Sequence, residues 1–234
     1  MLERAERILG LPDEMRGWTT TRACGSFGFQ SDGTAAPEVL ANWRALEDDL
    51  RTLGVVRLAS AHQVHGADVL THSGQWSGWR RFPEGDGHVT VACGTALAVT
   101  IADCTPVLVW HPRGAVAALH AGWRGTASGI LDRGFDAMEA LGFPVEECRV
   151  HLGPAICGSC YEVGPEVLEA MFGTPASGKG MLDVRAVLAA QAERRGAAKV
   201  TIDSACTRCD QDRFYSHRGG DAGRQLGIIT LCSS

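Results

Sequence analysis

Residues Ala102–Gly125 read ADCTPVLVWHPRGAVAALHAGWRG. Two runs rich in Val and Leu, 106–110 and 115–119, flank His-Pro-Arg-Gly, whose residue types end one strand and begin another. Read as a β-hairpin with a short loop near Pro112 and Arg113, the arms pair residues whose numbers sum to about 225, to within one. Cys104 then falls within about one residue of the position facing His120, and directly opposed side chains lie roughly 4.5–5.5 Å apart. A thiol and an imidazole at the open end of a hairpin are either part of a metal site or a Cys–His catalytic pair.

Moving outward, short strands are expected at 87–91 and 96–101. A helix follows over 125–141, with Ala127, Ile130, Leu131, Met138 and Leu141 on one face and Gly142 as its stop. Towards the N-terminus, a short strand at 17–22 runs into a Gly/Ser/Asp loop through Gly33. The spacing of Val39, Trp43, Leu46 and Leu50 predicts a helix over 37–53. Residues 55–58 read as a strand, 61–70 as a strand pair or bulged strand around His65-Gly66, and 71–86 as a loop. Towards the C-terminus come a strand at 149–152, a helix over 165–172 opened by Pro165, and a helix over 183–195 capped by Asp183. Strands at 200–202, 214–217 and 226–231 complete the pattern. Helices and strands do not alternate regularly, and no linker or repeat interrupts the chain. The expectation is an α+β fold, one domain over 1–234, with mixed, hairpin-rich β-sheets flanked by helices.

The chain has 234 residues, 45% of them hydrophobic, and a net charge of −5. No Lys/Arg run occurs, which argues against a nucleic-acid or membrane-surface binder. The charged start MLERAERILGLPDEM lacks a signal-peptide core, and no stretch approaches the roughly 20 apolar residues of a membrane span. Nine cysteines with no secretory signal fit reduced thiols in a cytoplasmic protein, some serving as ligands or catalytic groups.

His65, in Gln-Val-His-Gly, is the best-placed third ligand beside Cys104 and His120. Three protein ligands with a fourth position open is the pattern of a catalytic zinc; the competing reading is a buried Cys beside a hydrogen-bonded core His. Two Cys-x-x-Cys pairs, Cys157/Cys160 and Cys206/Cys209, compete for a metal. Together they would make a four-thiolate site, but the gap between them far exceeds the usual spacing of about 15–20 residues, so loop or core cysteines are expected. Arg124 lies just before a helix start, where free N–H groups and a guanidinium suit a phosphate or carboxylate. Arg218 and Arg224 flank a glycine-rich loop that brings them towards the same place, unless Asp221 occupies Arg224.

Taken together, QVHG, ADCTPVLV, HAGWRG, LGPAICGSCYEVG and CTRCDQDRFYSHRGGDAGR resemble, in order, the successive blocks of the YfiH-type family. This family is also called the laccase-domain or multicopper polyphenol oxidoreductase family, and its members are assigned as purine nucleoside phosphorylases. The resemblance implies zinc held by His65, Cys104 and His120. It implies phosphorolysis of adenosine, inosine and methylthioadenosine, with adenosine deaminase activity as well. Arg22, in TTTRACGS, resembles an N-terminal Thr-Thr-Arg block of the family, which implies a substrate contact. On this reading Arg124 and Arg218 hold phosphate, and Asp103, Asp86 or Tyr161 handles the proton; Cys104, His120, Asp103 and Arg124 form the catalytic set, with Arg22, Tyr161 and Arg218 around the substrate.

Two other readings follow from the same residues. Cys104 and His120 could serve a Cys–His hydrolase acting on a peptidoglycan precursor, since some relatives are named peptidoglycan editing factors. A copper-dependent polyphenol oxidase is the weaker reading, with Cu²⁺ in place of zinc: no two histidines stand two apart, as trinuclear copper clusters require. The expected partners are a nucleoside and phosphate, with neither nucleic acid nor membrane, in a monomer or homodimer.

Overall fold

Every residue of the two hairpin strands is buried, so this hairpin must be covered on both faces. A computed structural model describes residues 1–29 and 36–232. In chain order its main elements are β1 (Glu6–Ile8), β2 (Met15–Thr19), α1 (Pro37–Thr52), β3 (Arg57–Ala61), β4 (Val69–His72), β5 (Gly78–Phe82), β6 (Gly87–Thr90) and β7 (Thr95–Ile101). Then come β8 (Thr105–His111), β9 (Ala115–Ala121), α2 (Trp123–Ala127), α3 (Ile130–Ala140), β10 (Arg149–Leu152) and β11 (Glu162–Val163). The chain ends with α4 (Pro165–Phe172), β12 (Gly180–Met181), α5 (Val184–Arg194), β13 (Lys199–Ile202) and β14 (Gln225–Leu231).

Two six-stranded sheets carry the fold, ordered β1-β2-β14-β7-β3-β5 and β13-β10-β8-β9-β6-β4, with β11 and β12 as a separate ribbon. Both sheets are mixed: β3 runs parallel to β5 and β7, and β4 to β6, while the hairpin and β14 pair antiparallel. The period-two alternation of strands sorts the side chains into layers. On the hairpin, Leu108, Trp110, Val116 and Ala118 meet Leu97, Val99 and Ile229 of the other sheet. The alternate residues Val107, Val109, Ala117 and Leu119 face Ile130, Phe135, Leu188 and their helices. On the far side, Leu58, Ala98 and Ile228 pack under Trp43, Leu46 and Leu50 of α1. The order is therefore helix, sheet, sheet, helices, an α+β arrangement as expected. Among the described residues, no helix is long and apolar enough to cross a membrane.

Several local expectations need correction. Residues 71–86 are not simply a loop: β5 lies there, an edge strand whose Gly, Trp and Arg residues give no period and which exists because it pairs with β3, Arg57 facing Gly78. The helix expected over 125–141 is two helices, broken where Gly129 takes a left-handed φ of 79°. Residues 62–68 form an irregular turn between β3 and β4 rather than a bulged strand, and 214–217 form no strand. The Gly/Ser/Asp loop read through Gly33 passes beyond Phe29 into residues outside those described.

Candidate active site

The hairpin register sums to 226, with His120 facing Pro106 and Thr105 facing Ala121. Cys104 thus lies two residues beyond the position opposite His120, and that parity keeps both side chains on the face turned to the other sheet. Asp103, just before it, holds a left-handed φ of 80°, which is costly for a side-chain-bearing residue. Fixed contacts hold it there. Its carboxylate accepts from the Thr207 hydroxyl and from the Arg218 backbone N–H, both at 2.6 Å, and its carbonyl accepts from the Ile156 N–H at 3.1 Å.

His65 also has a positive φ, 61°. Its turn is wrapped around Asp86, whose carboxylate accepts the N–H groups of Val64, His65 and Gly66 at 3.1, 2.9 and 2.8 Å. The same carboxylate lies 2.8 Å from Nδ1 of His120. Asp86 is wholly buried. Burial alone would raise its pKa, but the His120 hydrogen bond and charge, with the Gly66 and Val64 N–H groups, hold it below the ordinary value. One carboxylate therefore shapes the His65 turn and fixes the His120 ring, leaving the His120 Nε2 to face Cys104.

The donor atoms of His65, Cys104 and His120 all lie within 4.8 Å of one another, and the two imidazole rings sit edge to face, 4.8 Å between centroids. The space for the Cys104 sulfur exists because position 122 is glycine: a Cβ there would stand 2.9 Å from Sγ. Burial opposes ionisation of Cys104, yet the charge of His120 and hydrogen bonds from both histidines pull the thiol down to about 6. Burial likewise opposes charge on His120, while the Cys104 charge and the Asp86 hydrogen bond raise it to about 9. The thiol is thus held as a thiolate, the form that ligates a metal or attacks a carbonyl.

A cavity of about 660 Å³ opens over these donors, where the ends of β3 and β7 part from the hairpin. Arg124 reaches it from the first turn of α2, its guanidinium 4.4 Å from the Trp123 ring, and it forms no ion pair among the described residues. Tyr161 lies there beneath Arg218, 5.0 Å from ring centroid to guanidinium carbon. Burial, and then the Cys104 charge, hold the Tyr161 hydroxyl above its ordinary pKa. Arg224 also lines the cavity, but one nitrogen is taken up by the carbonyls of Asp221, Ala222 and Gly223. Asp221 pairs instead with Arg22, at 2.5 Å.

Arg22 does not line the cavity. Its guanidinium donates to the Phe214 carbonyl and stacks on Tyr215 at 4.4 Å, tying the C-terminal loop down. Asp103 lines the cavity, yet both its carboxylate oxygens are taken. Three contributors were not read from the sequence: Gly122, the orienting part of Asp86, and Arg81, which stacks on Phe29 at 4.2 Å at the cavity wall. Gly122 carried a signal, since it stands opposite Cys104 once the hairpin is registered. The two Cys-x-x-Cys pairs, expected as loop or core cysteines, lie in loops that come together.

The sequence profile of the multi-copper polyphenol oxidoreductase laccase family matches residues 24–232. The chain belongs to this family. Within this laccase-type family, a purine nucleoside phosphorylase of Streptomyces coelicolor is 39% identical over 77% of this chain and 78% of its own length. An adenosine deaminase from an unknown prokaryotic organism is 37% identical over 61% of this chain and 58% of its own. A crystal structure of a Neisseria meningitidis protein superposes with a TM-score of 0.82 at 28% identity, covering 98% of this chain and all of that one.

Proposed function

We propose that this chain is a zinc-dependent purine nucleoside phosphorylase acting on adenosine, inosine and methylthioadenosine, with adenosine deaminase activity. The observation that carries the reading is the His65–Cys104–His120 donor set at the floor of a nucleoside-sized cavity with Arg124 and Arg218 on its wall. The donors fit a zinc ion: one thiolate and two imidazoles, one imidazole oriented by a buried carboxylate, with a side open to the cavity. The same donors suit a blue-copper centre when a weak axial ligand, usually Met and otherwise Gln or a backbone oxygen, completes it; among the described residues no methionine lines the cavity, and the amide of Gln63, which does, is bonded to Thr100. Bound there, zinc supplies Lewis acidity that activates water near neutral pH.

The chain's own residues account for the rest. Arg124 and Arg218 hold phosphate so that one of its oxygens bonds to the anomeric carbon as the C–N glycosidic bond breaks. The departing purine takes up the electron pair and needs a proton. Of the three candidates, with both oxygens of Asp103 engaged and Asp86 sealed behind His120, Tyr161 is the one left facing the cavity, and its raised pKa keeps it protonated. Phe29 presents a half-buried ring to a flat base. The test is to incubate zinc-loaded protein with adenosine and phosphate and to assay adenine, ribose 1-phosphate and inosine. Absence of all three sinks the proposal.

One observation favours a second reading, a Cys–His hydrolase of a peptidoglycan precursor. The lowered Cys104 thiol, raised His120 and orienting Asp86 have the order of a nucleophile, base and carboxylate. A zinc-ligated thiolate is a poor nucleophile, so the readings exclude each other at one sulfur. Hydrolysis by metal-free protein, abolished by alkylating Cys104, would replace the first reading with the second.

A further inference from the structure

The proposed activity leaves four cysteines without a part. Cys157 and Cys160 follow β10, Cys206 and Cys209 follow β13, and a parallel bridge between Ala155 and Cys206 lays the two segments side by side. We propose that Cys157, Cys160, Cys206 and Cys209 form a second metal site, a closed four-thiolate zinc centre that fastens two loops of the cavity wall together.

Three observations carry this. The four Sγ atoms all lie within 4.8 Å of one another, with Cys160 and Cys209 3.4 Å apart. A tetrahedron with Zn–S bonds of about 2.3 Å has edges of roughly 3.8 Å, so the spacing suits a single ion. Next, the Cys206 sulfur accepts two backbone N–H groups, from Cys157 at 3.2 Å and from Cys209 at 3.4 Å. The second of these closes the turn of its own Cys-x-x-Cys pair. Backbone donors aimed at sulfur favour the thiolate, the form a metal binds. Finally, all four cysteines are free thiols, and Cys209 is exposed, which leaves an entry path.

Four protein ligands leave no open coordination position, so the site is structural rather than catalytic. Its neighbours say what it holds. Tyr161 directly follows Cys160, and Thr207 directly follows Cys206. The Thr207 hydroxyl holds Asp103 in its left-handed conformation, next to Cys104. The Arg218 N–H, on the same loop, holds the other Asp103 oxygen. The second ion would thus pin the segments that place Tyr161, Arg218 and Cys104.

The experiment is metal counting on purified, zinc-supplied full-length protein. Wild type should hold two zinc ions per chain, and Cys104→Ala should keep one. Loaded with Co²⁺, Cys104→Ala should show the strong sulfur-to-cobalt charge-transfer absorption of a tetrahedral four-thiolate centre, and Cys206→Ser/Cys209→Ser should lose it. Should the double variant fail to fold, the wild type itself decides. Mapped by mass spectrometry, alkylation of these four cysteines should run at least about tenfold slower with zinc than after chelation. A single zinc in wild type and none in Cys104→Ala, alkylation indifferent to zinc, or a disulfide among the four would each overturn the proposal. None of these readouts depends on nucleoside turnover.

Discussion

Replacing Gly122 by Ala adds one methyl group at the most crowded point of the three-donor site. The backbone there has φ −79° and ψ 175°, extended geometry that alanine adopts freely, so the substitution acts through volume alone. The new Cβ would lie 2.9 Å from Cys104 Sγ and 3.4 Å from Cδ2 of His65. Relaxed contacts of this kind sit at about 3.5–4.0 Å, so the sulfur must retreat by roughly 0.6–1.1 Å. Metal–ligand distances tolerate only about 0.2 Å. Overpacking costs about 1–3 kcal/mol, partly offset by the 0.4–1 kcal/mol or so that Gly→Ala gains through a less flexible unfolded chain. The fold should therefore survive while zinc affinity at this site falls by about tenfold to hundredfold, the range seen when a ligand's support is disturbed. Competition against a chromogenic chelator, read beside a thermal melt, measures both. Gly178→Ala, whose methyl meets nothing within 4 Å, should leave zinc affinity unchanged and raise the melt by no more than that unfolded-chain gain. If Gly122→Ala binds zinc as wild type does, the Cys104 sulfur is not lodged against Gly122 and the proposed ligand set is wrong.

Asp86→Asn keeps the shape but loses the charge that fixes the His120 ring, and zinc affinity should again fall about tenfold to hundredfold in chelator competition. Unchanged affinity would show that the carboxylate serves only the 62–66 turn. Arg124→Ala should raise KM for phosphate while metal content stays constant, because the guanidinium reaches the cavity without touching the donors; an unaltered phosphate KM refutes that placement. Hydrogen bonds from Arg22 and the Ser216 N–H hold Asp221 down to about 2, below the ordinary 3.8. A depressed carboxylate stabilises above its unfolded pKa and loses that contribution as pH falls through its folded one. The stability gap between wild type and Asp221→Asn should accordingly be full above about pH 4 and close towards pH 2. Chemical denaturation at several pH values reads the gap, and one independent of pH would contradict the pairing.

The hairpin was legible because its apolar runs, turn residues and length all agree, which brings Cys104 and His120 to the same open end; a register read only to within one residue left their faces open, and the observed sum of 226 sets them. His65 was legible only as a residue type next to a glycine. Its position depends on Asp86, a contact across the fold that no local pattern encodes. β5 escaped because Gly-Trp-Arg-Arg-Phe has no period of its own and becomes a strand through its partner β3. The helix over 125–141 looked continuous because Gly129 within an apolar periodicity is usually tolerated, whereas here it takes the left-handed break. The cysteine pairs were set aside on their sequence gap. That spacing belongs to small zinc modules; here two strands of one sheet, β10 and β13, bring distant loops alongside instead. Arg22, read as the end of a strand, lies beyond β2 in a short 3-10 turn, where its partners are Asp221, Phe214 and Tyr215.

Two of the three candidate metal donors and the cavity wall facing them belong to different halves of the sandwich, and the third, His65, sits on the turn that leads from one half to the other. His120 lies on β9, and Cys104 and Asp86 lead into β8 and β6, all within one sheet. The facing wall, with Ser60, Ala61 and Thr100, is built from β3 and β7 of the other. Substitutions on β7 can therefore reshape what the cavity admits without moving the Cys104 or His120 donor, whereas those on β3 bear also on the turn that carries His65. Such a division lets descendants of one scaffold reshape the cavity by drift on one sheet while the Cys104–His120 pair, carried by the other, is inherited intact.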